Sequence, residues 1–233
     1  MENFYKKEVD KFNKILKSWW NINNLSIKPL HDINYLRMNL VKIFICSLYN
    51  KKILDIGCGG GIFSESISKM GANVTGIDLS ERSIKEARFH CISSNLNIKY
   101  KIQSIECFSK DILNKFDLIF CMEVLEHVPE FFLILKSCSR IIKKQGYIFV
   151  STINRNLKSF LYAIFFAERI FRIIPYGTHK YNKFITPLEL IFKMNTCKMC
   201  FQSLIGIKYN FFENTYNFSK NISTNYIIIS KKT

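Results

Sequence analysis

"ILDIGCGGGIFSESI", residues Ile53–Ile67, sets the reading of the whole chain. The apolar run at its start predicts a buried strand, the glycines a tight turn, and the remainder a helix. Glycines directly after a strand let a ligand approach the backbone closely. The helix behind them offers unpaired N–H groups.

A dinucleotide fingerprint asks for G-x-G-x-x-G, so that backbone amides cradle a pyrophosphate. Here Gly57 and Gly59 fit, but Ile62 holds the sixth position, and Asp55 lies two residues ahead of the first glycine. An acid there suits a cofactor with a cationic end. S-adenosylmethionine carries an ammonium, a carboxylate and a sulfonium, and no phosphate. Asp78 closes the next predicted strand in "VTGIDLS". A carboxylate at that place accepts ribose hydroxyls and repels a ribose phosphate. The competing reading is a purely structural turn whose glycines only permit close packing.

Outward from this loop the chain alternates strand and helix. Strands are predicted at 52–56, 73–77, 98–102, 117–121 and 146–151, and helices at 61–70, 80–94 and 130–142. That rhythm argues for an α/β fold, a parallel sheet covered on both faces. Two helices, 4–20 and 33–49, precede it. A helical insertion at 158–174, a helix at 187–194 and strands at 201–209 and 224–230 follow. The last two strands lack a crossover helix, which predicts an antiparallel edge. The expected organisation is one domain, 1–233. It has a helical extension at 1–50, a cofactor-binding core at 51–152, a lid or membrane-contacting insertion at 153–185 and a sheet edge at 186–233.

A second constellation lies in "FDLIFCMEVLEHVPE", Phe116–Glu130. Its strand ends where open α/β sheets place ligands, which puts Met122 beside the cofactor. Glu123, Glu126 and His127 follow at i, i+3 and i+4, one side of a helix. Two carboxylates and an imidazole can hold an oxygen-loving divalent cation such as Mg²⁺. Alternatively, His127 is a general base oriented by the acids. A third reading is structural, with Glu123 at a helix N-terminus and His127 packed at the end.

Composition narrows the partners. The net charge of +16 favours anionic ones, but the basic residues are scattered, without an arginine-rich arm or zinc-finger spacing, so nucleic acid is not expected. Cys197 and Cys200 form a lone C-x-x-C without a second pair, so the eight cysteines read as free thiols in a reducing compartment. No secretory signal or presequence is seen, and no apolar stretch is long enough to span a bilayer.

Four segments carry a family resemblance: the glycine loop through "GIDLS", "CMEVLEHVPE", "STINRNLKSF" and "IIPYGTHKYNKFITPLEL". Together with "SWW" at 18–20 and "KPLHDINYLRMNLV" at 28–41, they resemble the ubiquinone-biosynthesis O-methyltransferases, over about residues 9 to 230. The glycine motif is common to class I methyltransferases, while "STINRN" and "PYGTHKYNKFITP" are far more restricted. The resemblance implies a class I, Rossmann-like methyltransferase with a seven-stranded, mostly parallel sheet, an N-terminal helical extension and a helical lid. It implies that Arg37, Gly57, Asp78 and Met122 contact S-adenosylmethionine, and that Glu123, Glu126 and His127 bind metal. Asp55 and Gly59 join the cofactor set from the reading of the loop. Tyr35 stands where the family usually has Pro, "KKQG" replaces a Lys-Pro-Gly-Gly turn, and Phe211 follows "YN" where Pro is common.

The family methylates a catechol-type hydroxyl of polyprenyl-dihydroxybenzoate or demethylubiquinol. Its insertion touches membrane. Here 158–180 mixes apolar residues at helical steps with Lys158, Arg169, Arg172 and Lys180, which suits anionic lipid. The implied location is peripheral, on the matrix side of the mitochondrial inner membrane or, in a bacterium, on the cytoplasmic face of the inner membrane. The implied company is a complex with other ubiquinone-biosynthesis proteins. Two rival functions are an RNA methyltransferase, favoured by charge, and a catalytically silent assembly subunit. Retention of Asp55, Asp78 and the Glu123/Glu126/His127 set argues against the second.

Overall fold

A computed structural model describes residues 3–6, 9–10, 19–22, 27–110, 112–160, 181–210 and 215–233. Among these, eight strands form one sheet in the order β3-β2-β1-β4-β5-β8-β6-β7. They are β1 (Lys52–Ile56), β2 (Asn73–Asp78), β3 (Lys99–Ile102), β4 (Phe116–Met122), β5 (Ile142–Ile153), β6 (Met199–Asn210), β7 (Thr215–Ser219) and β8 (Asn225–Lys232). The first five are parallel, and β6, β7 and β8 pair antiparallel. The helices are α1 (Lys28–Phe44), α2 (Ile62–Ser68), α3 (Glu81–Ser93), α4 (Ile105–Phe108), α5 (Phe131–Ile141) and α6 (Pro187–Thr196).

The alternation predicted from periodicity is present, with one strand more than the expected seven. The additional strand, β7, is "TYNFS", half polar and only partly buried, so it carries no run of apolar residues to announce it. Its register with β6, from Gly206↔Ser219 to Asn210↔Thr215, makes it a strand. The short α4 was likewise silent; Ser104 caps it by accepting the Cys107 N–H. The helix expected at 33–49 starts earlier, at Lys28, because Pro29 suits a first turn. The insertion expected at 158–174 and the lipid-contacting stretch 158–180 fall outside the described residues, apart from a helical turn at 157–160. Most of the helix expected at 4–20 does too.

Both sheet faces are buried, so side chains alternate between two cores rather than between core and water. Leu54, Ile56, Ile119, Cys121, Ile148 and Val150 face α5 and α6. Ile53, Leu118, Phe120, Phe149 and Ile229 face α1 and α2. Phe120 and Phe149 stack there with ring centroids 4.8 Å apart. The strand order reverses between β1 and β4. The crevice beyond their carboxyl ends is where an open α/β sheet binds its ligand. The glycine loop leaves β1 there, and Met122–His127 leave β4 beside it.

Candidate active site

The loop after β1 is built around residues that tolerate a left-handed backbone. Gly57 has φ +70°, and a Cβ on it would lie 2.5 Å from Val124 Cγ2. The loop after β4 therefore packs directly on the loop after β1, which only glycine permits. Gly57 and Cys58 donate their N–H groups to the Ile77 carbonyl at 2.8 and 3.1 Å.

Asp78, ending β2, latches the same loop. Its Oδ2 accepts the Gly59 N–H at 2.9 Å and its Oδ1 accepts the Ser80 N–H at 2.8 Å. Burial raises its pKa, and the backbone donors at Ser80, Gly59 and Leu79 oppose that. An ionised carboxylate has about four lone-pair sites, so these three backbone donors leave capacity for a ribose hydroxyl.

Asp55 is deeply buried, and its Oδ2 accepts the Ser64 hydroxyl at 2.5 Å. Burial lifts its pKa from 3.8 to about 6, against the Ser64 hydrogen bond and Arg37, with Asp78 adding to the rise. Folding thus penalises the ionised form of Asp55. Stability is lost as pH rises from the unfolded value through about 6, and the deficit is complete above it. Asp55→Asn, which keeps an acceptor for Ser64, is expected to stabilise the ligand-free protein near pH 7 by up to about 3 kcal/mol. That gain should vanish below about pH 4, read by urea unfolding at both pH values. A gain independent of pH would contradict the assignment.

Arg37 reaches the crevice from α1. Its pKa is lowered by burial, against the pull of Glu123, Asp55, Tyr216 and Glu126. Its Nε is buried and, among the described residues, has no hydrogen-bond partner. A buried guanidinium with an idle donor calls for an anionic or carbonyl oxygen. Met122 is the last residue of β4 and is nearly fully buried.

The acidic set departs from expectation. Glu123, Glu126 and His127 do not share a helix face, because α5 begins only at Phe131. Glu123 holds φ +56°, unusual for a residue with a side chain. Its N–H donates to the Ser151 carbonyl at 3.1 Å, which fixes the bend. Leu125–His127 form a 3-10 turn. The bend turns Glu123 towards β8, where its Oε2 accepts from Asn225 Nδ2 at 3.1 Å. Glu126 is buried, and its Oε2 accepts the Thr152 hydroxyl at 2.8 Å. Burial, with Glu123 next, pushes the Glu126 pKa well above the usual carboxylate range.

Among the described residues, no three His, Cys, Asp or Glu side chains gather as a metal-holding group. The three-ligand set read from the spacing is therefore not assembled, because a 3-10 turn and a left-handed bend replace the helix. What is assembled is a pair of carboxylates in which Glu123 Oε1 is buried and, among the described residues, has no hydrogen-bond partner. Such a pair gathers positive charge, as a shared proton or as a hard cation. Mg²⁺ commonly takes one or two carboxylates and completes its shell with water and substrate oxygens, so the pair fits that ion without His127.

Thr152 and Asn225, which hold the carboxylates, were not singled out in the sequence. Thr152 lies within "STINRN", and that motif proves to be a connector. Asn154 and Asn156 donate to the carbonyls of Ile222 and Ser223, and Arg155 pairs with Glu189 of α6 at 2.6 Å. Asn225 gives no local signal, since only the β5–β8 pairing brings it to Glu123.

The profile of a family described as "Methyltransferase domain" matches residues 48–180. The chain is 39% identical over 231 residues, 99% of it and 98% of the relative, to the ubiquinone biosynthesis O-methyltransferase of Vibrio vulnificus (strain YJ016). It is 42% identical over 221 residues, 95% and 94% of the two chains, to the protein of the same name from Nitrosomonas europaea. Among solved structures it resembles magnesium protoporphyrin IX methyltransferase from Synechocystis PCC 6803 with bound SAH. The TM-score is 0.69 at 14% identity, covering 98% and 95% of the chains. A SAM-dependent methyltransferase from Thermotoga maritima gives a TM-score of 0.66 at 18% identity, covering 96% and 99%. These two likenesses show the fold.

Proposed function

The chain belongs to the ubiquinone biosynthesis O-methyltransferase family, and from that premise we propose how its own residues carry the reaction. It is a SAM-dependent O-methyltransferase. The acceptor in this proposal is one hydroxyl of a catechol-type ring, in polyprenyl-dihydroxybenzoate, demethylubiquinol or both.

Asp78 and Arg37 fit the cofactor beside the glycine loop: a carboxylate for the ribose, and a buried donor for the carboxylate end. When bound, S-adenosylmethionine supplies an electrophilic methyl group. Asp78 orients the ribose while holding Gly59, Arg37 holds the amino-acid end with Asp55 below it, and Met122 walls the site. Glu123 and Glu126, if they hold Mg²⁺, give it the role of drawing together the two catechol oxygens and lowering the phenol pKa. In this proposal the phenol proton passes to Glu123, Glu126 or His127. The observation that carries this reading is the placement of Glu123 and Glu126 beside the cofactor loop, held there by Asn225 and Thr152 from two further strands.

The tail of such a substrate lives in lipid. Among the described residues no helix is long and apolar enough to cross a membrane. The proposal is peripheral contact through 158–180, on the matrix side of a mitochondrial inner membrane or the cytoplasmic side of a bacterial one. One experiment offers labelled S-adenosylmethionine, a short-tailed demethylubiquinol in cardiolipin-containing vesicles, and bulk RNA together. Label in the quinol, with enzyme sedimenting with the vesicles, is expected. Label in RNA and none in the quinol overturns the substrate assignment.

A further inference from the structure

Trp19 and Trp20 are the two tryptophans of the chain, and both lie against the cofactor loop. The Trp19 indole spans Gly59 and Gly60. A Cβ on Gly59 would lie 2.4 Å from its Cη2, and one on Gly60 2.1 Å from its Cγ. The missing side chains of these glycines are thus matched to an indole. The Trp19 N–H donates to Glu86 Oε2 at 2.9 Å, and its carbonyl meets His31 Nε2 at 3.0 Å. Trp20 donates its Nε1–H to the Gly60 carbonyl at 3.0 Å. Its ring stacks flat on His90, centroids 3.4 Å apart and planes 1° from parallel, with its edge to His31 at 5.7 Å.

His90 is itself held. Its Nδ1 lies 2.8 Å from Glu65 Oε1, and Glu65 is almost wholly buried. The tryptophan step therefore fastens four parts of the site. It touches the glycine loop directly, α3 through Glu86 and His90, α2 through Glu65 behind His90, and α1 through His31. Arg37 lies on the same helix as His31, less than two turns further on. Nothing in the reaction chemistry requires an indole here, yet each polar atom described for the pair is aimed at an element bordering the cofactor.

We propose that Trp19 and Trp20 are positioning residues that clamp the glycine loop to the Arg37-bearing helix and so set how long the cofactor stays bound. This rests on the reading of the loop as the cofactor site and is independent of the methyl acceptor. Loss of the stacked ring and its hydrogen bond in Trp20→Ala should release bound S-adenosylhomocysteine about tenfold faster. His90→Ala removes the stacking surface from the other side and should act in the same direction, with Trp20→Phe, which keeps a ring, restoring part of the effect.

The experiment follows release of labelled S-adenosylhomocysteine from the full chain, with thermal unfolding confirming that each variant is folded. It is paired with the two Michaelis constants. The KM for S-adenosylmethionine should rise about tenfold more than that for the phenol. Wild-type release from folded Trp20→Ala and His90→Ala overturns the proposal. So does an equal rise of both constants, which marks general loosening. Because release is read without a methyl acceptor, a wrong substrate assignment leaves this test intact.

Discussion

Asp78→Ala is expected to raise the dissociation constant for S-adenosylhomocysteine at least about a hundredfold, since hydrogen bonds to a charged acceptor each contribute roughly 1.5–3 kcal/mol. Two losses combine. The ribose hydroxyls lose their acceptor. The Gly59 N–H, which donates to Asp78 Oδ2 at 2.9 Å, also loses its partner, so the loop is no longer latched to the end of β2. Asp78→Asn keeps one carbonyl oxygen and should fall between alanine and wild type. Isothermal titration with S-adenosylhomocysteine reads the series directly. Near-wild-type binding by Asp78→Ala would remove Asp78 from the cofactor site.

Glu126→Gln separates binding from chemistry. Glutamine keeps the size of the side chain and an acceptor for Thr152, so the turn at Leu125–His127 should persist. It also resembles the protonated form that burial and Glu123 favour at Glu126. If the neutral form were sufficient, the variant would stay active. In the proposed reaction the carboxylate must become anionic, so kcat should fall about a thousandfold, in the range seen when a charge-stabilising group is removed. S-adenosylhomocysteine should bind within about twofold of wild type, because Asp78, Arg37 and the glycine loop are untouched. Quench-flow turnover and titration on one preparation check both halves.

The fold was legible because its strongest signals are local. The run Ile53–Ile56 followed by glycines, and the 3.6-residue and short-run patterns after it, gave the parallel strands and their helices nearly in place. Signals weakened where an element owes its existence to a partner. β7 is a strand because β6 accepts it, and α4 is one turn because Ser104 caps it. The residues proposed to hold the cofactor stand out in the sequence for the same reason: Gly57, Asp78 and Met122 sit at strand ends, which the sequence marks. The sequence marks Glu123, Glu126 and His127 as a set, but not their geometry. A spacing of i, i+3 and i+4 implies a shared face only inside a helix, and the hydrogen bond of Glu123 N–H to β5 stops a helix from starting there. Thr152 and Asn225 became visible only once β5 and β8 were paired. The clamp was half visible, since "SWW" could be noted as a motif while the glycines that receive Trp19 lie about forty residues away.

In the proposed reaction the Glu123–Glu126 edge directs methyl transfer to a catechol hydroxyl with the help of a divalent cation. Its most direct test is transfer of labelled methyl from S-adenosylmethionine to short-tailed demethylubiquinol, with Mg²⁺ or with chelator, while cofactor binding is measured in the same samples. Product in Mg²⁺ alone, with cofactor bound in both, is the predicted result. Undiminished product in chelator, or no product in either with cofactor bound, would contradict it.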